Sequence, residues 1–225
     1  MATLYHAPLC PHSRFIRLVA AEMGLEIDLK DERVWERRRE FLILNPAGTT
    51  PVLVEETGLA ASGTGPIAEY LDETRGLALM PEPPAARLEV RRLLDWFHIK
   101  FFEEVSGPMV SEKINKRFQR PEEGGGPPDM PSLRAARANV RYHLKYIGWL
   151  VASKDWLTGS AMTYADLAAA AHLSCADYLG DVPWGEDEAA HAWYAKIKSR
   201  PSFRPLLADK VPGMAPAAHY TDLDF

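Results

Sequence analysis

Asn45-Pro46-Ala47-Gly48-Thr49-Thr50-Pro51-Val52-Leu53 is the stretch on which the fold turns. It reads as a polar turn running into a short apolar strand. Proline opens that strand, where its missing N–H does least damage to a sheet. Thr50-Pro51 is also a candidate for a cis peptide bond, because X–Pro bonds have only a small trans preference. A cis bond there turns the Thr50 backbone N–H and C=O outward, ready to pair with an extended peptide.

On the N-terminal side of this stretch, strand and helix alternate. Thr3-Leu4-Tyr5 reads as a strand. Pro11, tolerated in a first helical turn, opens a helix that carries Phe15, Ile16, Val19, Ala20 and Met23 and stops at Gly24. Glu26 to Lys30 alternates like a half-buried strand. Trp35 to Leu44 reads as a short, charged, irregular helix. On the C-terminal side come a turn at Glu55-Glu56-Thr57-Gly58, an edge strand at Leu59-Ala60-Ala61 and a helix from Pro66 to Glu73. The order β-α-β-α-β-β-α predicts an α/β unit with a small mixed sheet over residues 1–80.

Residues 81–84, Pro81-Glu82-Pro83-Pro84, read as a linker. Beyond them strand signals nearly vanish, which predicts an all-helical domain over 85–210 and an irregular tail over 211–225. Ala85 to Val105 is helical, with Leu88, Leu94, Phe97 and Phe101 on one side, and Gly107-Pro108 is expected to interrupt or kink it. Glu122 to Pro128 is a glycine-rich loop. Pro131 to Val151 is a long helix. Thr163 with Asp166 caps an apolar helix that carries Cys175. A further helix runs from Glu188 to Lys198.

The 225 residues are 47% hydrophobic and 25% charged, an ordinary globular composition with enough apolar chain to bury a core. A formal charge of −5 argues against a nucleic-acid-binding surface. No apolar run approaches the roughly 18 residues of a membrane span. The opening MATLYHAPLC lacks the pattern of a secretory signal, so a cytoplasmic protein is expected. Two cysteines, far apart, do not make a disulfide framework. Cys175 suits the role of a small buried hydrophobe. Cys10 sits at a helix start, where amides and dipole favour a thiolate, with Ser13 near enough to donate to it. Cys10-Pro11-His12-Ser13 is therefore either a thiolate site or an ordinary strand end. The seven histidines show no metal-ligand spacing, so no metal site is expected. His172 reads as a core histidine, and His12, which borders Cys10, either as an exposed bystander or as a group that tunes the thiol.

Taken in order, these motifs resemble the glutathione transferase superfamily. They are Cys10-Pro11, Asn45-Pro46-x-Gly48, Thr50-Pro51-Val52-Leu53, Ile67-x-x-Tyr70-Leu71 and Thr163-x-x-Asp166. The resemblance implies an α/β thioredoxin-like N-terminal domain, an all-α C-terminal domain and a homodimer. It places Cys10 and Ser13 where the family keeps its catalytic thiol or hydroxyl. It makes Thr50 and Pro51 a backbone clamp for glutathione, and Thr64 the hydroxyl that holds the γ-glutamyl carboxylate. The family commonly has an acid just before that hydroxyl; this chain has Gly63, with Ser62 as an uncharged substitute. Losing that charge-assisted hydrogen bond costs about 1.5–3 kcal/mol of binding, roughly ten- to hundred-fold. Glutathione is thus a weakened ligand, and catalysis is not the first expectation.

Val34-Trp35-Glu36-Arg37-Arg38-Arg39-Glu40 is either a solvated face with one buried Trp or a binding surface, since Trp and Arg are enriched at interface hot spots. The acidic end, Tyr220-Thr221-Asp222-Leu223-Asp224-Phe225, suits docking onto a basic groove or is a self-packed terminus. With Arg91 to Phe97, Asp177 to Trp184 and Lys198 to Leu207, that end resembles one branch of the superfamily, the FtsZ-binding division proteins of alphaproteobacteria. The branch implies an adaptor at the division site that binds FtsZ and meets a further division or cell-wall component through its tail. Trp35, Arg37, Arg38, Asp222, Leu223, Asp224 and Phe225 are its expected contacts. The alternative is a glutathione-dependent transferase or thiol reductase using Cys10, with Ser13 assisting.

Overall fold

The structure is a computed structural model that describes residues 1–76 and 79–223. Its sheet has the order β2-β1-β3-β4, from β1 (Thr3–His6), β2 (Asp28–Asp31), β3 (Val52–Val54) and β4 (Ala60–Ser62). β1 and β2 run parallel, and the other pairs are antiparallel. A parallel pair needs a crossover; helix α1 (Pro11–Glu22) supplies it. Leu4 faces Leu53 across the register, and both are buried. Helix α2 (Arg39–Leu44) is separated from a short turn of 3-10 helix at Val34–Glu36 by Arg37, whose φ of 46° is left-handed. Helix α3 (Thr64–Arg75) completes the α/β unit in the expected order.

Two expectations fail here. β2 is exposed at all four positions instead of half-buried, because it is an edge strand paired only with β1. Leu88 lies on the outer face of its helix, 70% exposed. At 100° per residue it stands about 180° from Phe97. The buried stripe is Val90, Leu93, Phe97, Phe101 and Val105.

The helical part begins with α4 (Pro84–Asp95), which continues as a π-helical stretch, Trp96–Ser106, and then as α5 (Gly107–Lys113). Glycine is required at 107: a Cβ there would stand 2.7 Å from the Phe102 carbonyl oxygen. Next come α6 (Met130–Val151), α7 (Tyr164–Tyr178), α8 (Glu188–Lys198) and the short α9 (Arg204–Leu207). Every residue of α7 is buried. A helix with alanine and leucine on every face belongs in a core, and its few polar side chains, such as Ser174 and His172, are hydrogen-bonded there. The Asp166 carboxylate caps it, accepting from Thr163 N at 2.9 Å and Trp193 Nε1 at 3.0 Å.

Helix α1 packs on α7, and one apolar core runs from Leu4 and Phe15 through Phe97 and Ala169 to Ile197. Leu79 and Met80, just before the proline run, are part of it. A buried polar knot crosses the same seam. Arg14 donates to the Pro8 carbonyl at 2.7 Å, Ser174 Oγ at 2.8 Å, Tyr220 OH at 2.9 Å and Asp209 at 2.9 Å. Arg17 adds two hydrogen bonds to Asp209, at 2.8 and 2.9 Å. Tyr220 is fully buried, so the start of the acidic end is packed against the body. Among the described residues, no helix is long and apolar enough to cross a membrane.

Candidate functional site

A cleft of about 850 Å³ opens between the two halves. Its polar side is the loop from β1 to α1 with Cys10 and His12, the turn with Thr50 and Pro51, and Gly63 with Thr64 at the start of α3. Its apolar side carries Trp35, Phe102, Val110, Ile114, Phe118 and Val211.

The Thr50–Pro51 bond is cis. Cys10 is the N-cap residue of α1 and half-buried. Thr50 Oγ1 donates toward its sulfur at 3.6 Å. Burial pushes the Cys10 thiol up, but a hydrogen bond and charge from His12 outweigh it, with help from the Ser13 side chain and amide. The net result brings the thiol from 9.0 down to about 7. In return, and against burial, the Cys10 thiolate and the His98 carbonyl raise His12. The helix N-terminus and an adjacent cation thus stabilise one thiolate. Cys175 is the opposite case: burial pushes it up to about 12.

His12 is no exposed bystander. Its Nε2 donates to the His98 carbonyl at 3.1 Å, and its ring lies 4.5 Å from that of Phe102. His98 Nδ1 meets His172 Nε2 at 3.0 Å, and His172 Nδ1 meets Ser106 Oγ at 2.8 Å. One ring nitrogen from each of His12, His98 and His172 lies within 4.8 Å of the others. Spacing along the chain hid this convergence, because His98 stands 86 residues from His12 and 74 from His172.

Burial gives these imidazoles a measurable signature. His6 is lowered to about 4, chiefly by burial and then by the charge of Arg17. His98 and His172 are held well below 6.5, again chiefly by burial. Below 6.5 the unfolded chain binds more protons than the folded one, so stability falls with falling pH across the window from 6.5 to about 4. Going from pH 7 to 5 is expected to cost up to about 2 kcal/mol per buried imidazole. A falling urea midpoint over that range is the readout; a flat one contradicts it.

Residues 4–83 match the N-terminal domain of glutathione S-transferase. The chain is 50% identical to FtsZ-localized protein A of Caulobacter vibrioides, over 99% of this chain and 98% of that protein. The chain belongs to the glutathione S-transferase family. A glutathione S-transferase structure from Sinorhizobium meliloti superposes with a TM-score of 0.97 at 50% identity, covering all of both chains. FzlA from C. crescentus superposes with 0.93 at 50% identity, covering 100% of this chain and 99% of that one.

Of the residues that the family resemblance singles out, Cys10, Thr50, Pro51 and Thr64 share the cleft wall, and Trp35 joins them. Ser13 does not: it is fully buried beneath Cys10, and its Oγ accepts from Ala7 N at 3.4 Å. It positions the thiol and presents no hydroxyl to the cleft. Ser62 is paired with Val52 in β4, away from the cleft wall. Gly63 has a φ of +89°, a conformation that a side chain rarely adopts, so an acid placed there in this backbone would be strained. Arg37 is exposed, while Arg38 pairs with the buried Glu32. Neither lines the cleft; Arg33, which sequence reasoning passed over, does. Asp222 and Leu223 are exposed, and Asp224 and Phe225 lie outside the described residues. The apolar wall on α5 was also missed, since Val110 and Ile114 look like any buried helical pair.

Proposed function

We propose that this chain is a glutathione-transferase-fold adaptor of cell division that binds FtsZ and acts at the division site. The observation that carries this reading is the 50% identity, across nearly the whole chain, to FtsZ-localized protein A. Gly63 in place of an acid supports a role other than glutathione turnover. Trp35, half-buried on the cleft rim beside the charged run 36–40, is a suitable anchor for a partner, since truncated hot-spot aromatics often cost 2 kcal/mol or more. The exposed Asp222 and Leu223, held just beyond the fixed Tyr220, suit a second contact, with a component of cell-wall synthesis. The reading includes a homodimer. Exposed Leu88, Tyr142 and Trp149 on α4 and α6 make its candidate surface.

Co-sedimentation with assembled FtsZ tests the proposal. Wild-type protein is expected to pellet with the polymers, and Trp35→Ala to weaken binding about thirty-fold or more. A wild-type chain that stays in the supernatant overturns the reading.

One observation favours a second reading, glutathione-dependent thiol chemistry: the low thiol of Cys10 in a cleft with Thr50 and Thr64. Calorimetric titration with glutathione separates the two. Micromolar binding supports the second reading. No binding at millimolar ligand, together with FtsZ co-sedimentation, supports the first.

A further inference from the structure

We infer that His12, His98 and His172 form a binding site for a divalent metal ion of the zinc type at the seam between the two halves. The three come from different elements: α1, the π-helical stretch after α4, and α7. One nitrogen of each lies within 4.8 Å of the others. Tetrahedral zinc with bonds of about 2.0–2.1 Å sets its nitrogen ligands about 3.3–3.4 Å apart. The His98–His172 pair, now 3.0 Å apart, would open by only a few tenths of an ångström. The third nitrogen, on His12, lies within 4.8 Å of the other two and would have to close by at most about 1.5 Å.

The surroundings are those of a metal site. Ser106 holds Nδ1 of His172, the kind of outer hydrogen bond that orients a ligating imidazole. Nε2 of His98, the outer nitrogen of a ring that would ligate through Nδ1, is buried with no hydrogen-bond partner among the described residues, and it would carry the ring's proton once Nδ1 ligates. The backbone that carries His98 is wound as a π-helix, a rare conformation frequent at functional sites. The group has no carboxylate, and imidazole alone suits zinc, cobalt, nickel or copper; magnesium and calcium want oxygen. His12 and Phe102 both line the cleft, so a fourth position would open into it, to water or to a bound molecule.

Binding moves the proton that lies between His98 and His172 to an outer ring nitrogen, so both ligate as neutral imidazoles; only a proton carried by His12 leaves to buffer. No bond is oxidised or reduced.

The test is calorimetry of the full chain, freed of metal by chelator, titrated with zinc chloride without added thiol. One zinc per chain is expected, with micromolar or tighter affinity. His12→Gln, a change on one of the two half-buried members of the three, should weaken it at least about ten-fold. His219→Gln, a histidine outside the three, should leave it unchanged. If His98 or His172 variants fail to fold, cobalt(II) added to the wild type reads the same site, with ligand-field bands and no sulfur charge-transfer band. The inference is overturned by the absence of zinc binding, by unchanged binding in His12→Gln, or by loss of binding in His219→Gln.

Discussion

Asp209→Ala is expected to destabilise the fold by about 3–5 kcal/mol, because it leaves buried cations without their counter-charge. Arg14 is fully buried and Arg17 nearly so, and Asp209 is the carboxylate that both contact. Three of the hydrogen bonds that cross the seam end on its two oxygens. For a chain of this size, each kcal/mol moves the melting temperature by about 2–4 °C, so a fall of roughly 6–20 °C is expected. Asp209→Asn should fall between, keeping one of the two acceptor oxygens and losing the charge. A loss below about 1 kcal/mol in Asp209→Ala would show that water reaches the guanidiniums and that the pairs are worth no more than surface ones.

The second large effect concerns Cys10. Its alkylation by iodoacetamide should rise through a midpoint near pH 7, while Cys175 stays silent, its thiol pushed up to about 12. His12 is the chief group holding the Cys10 thiol down against burial. His12→Ala should therefore move the midpoint up toward 9 or beyond. At pH 7 the thiolate fraction then falls about fifty-fold, but a more basic thiolate is a better nucleophile, so the net rate drops by roughly five- to ten-fold. An unmoved midpoint would rule out His12 as the cause. The same shift makes a stability statement. Stability from the Cys10 thiolate is full above 9.0 and lost as pH falls through about 7.

Local rules made much of the fold legible. Proline at 51 marked a strand start, and the Thr163–Asp166 capping box marked a buried helix. Met130–Val151 stood out by its length. What escaped depended on rotation and on distance along the chain. Leu88 is apolar, yet a half-turn of phase puts it outside. Ser13 sits three residues from Cys10 and still points beneath it, because the helix start turns its side chain inward. The histidine convergence and the wall from α5 required α1 to pack on α7 and the π-helical stretch, a fact of tertiary structure. Tyr220 reads as part of an acidic end, but its hydroxyl is an acceptor for a buried Arg14, and that pins it.

The continuous core beneath the cleft has a kinetic consequence. Phe15 and Ala169 belong to one packed interior, and Arg14 fastens both halves and the end of the chain together. A cleft with such a floor does not open and shut like a jaw. Its shape exists before any partner arrives, so no ordering of the two halves has to be repeated at each encounter. Association should follow a single phase whose rate rises in proportion to partner concentration, and differences in affinity among partners should lie in how long they stay.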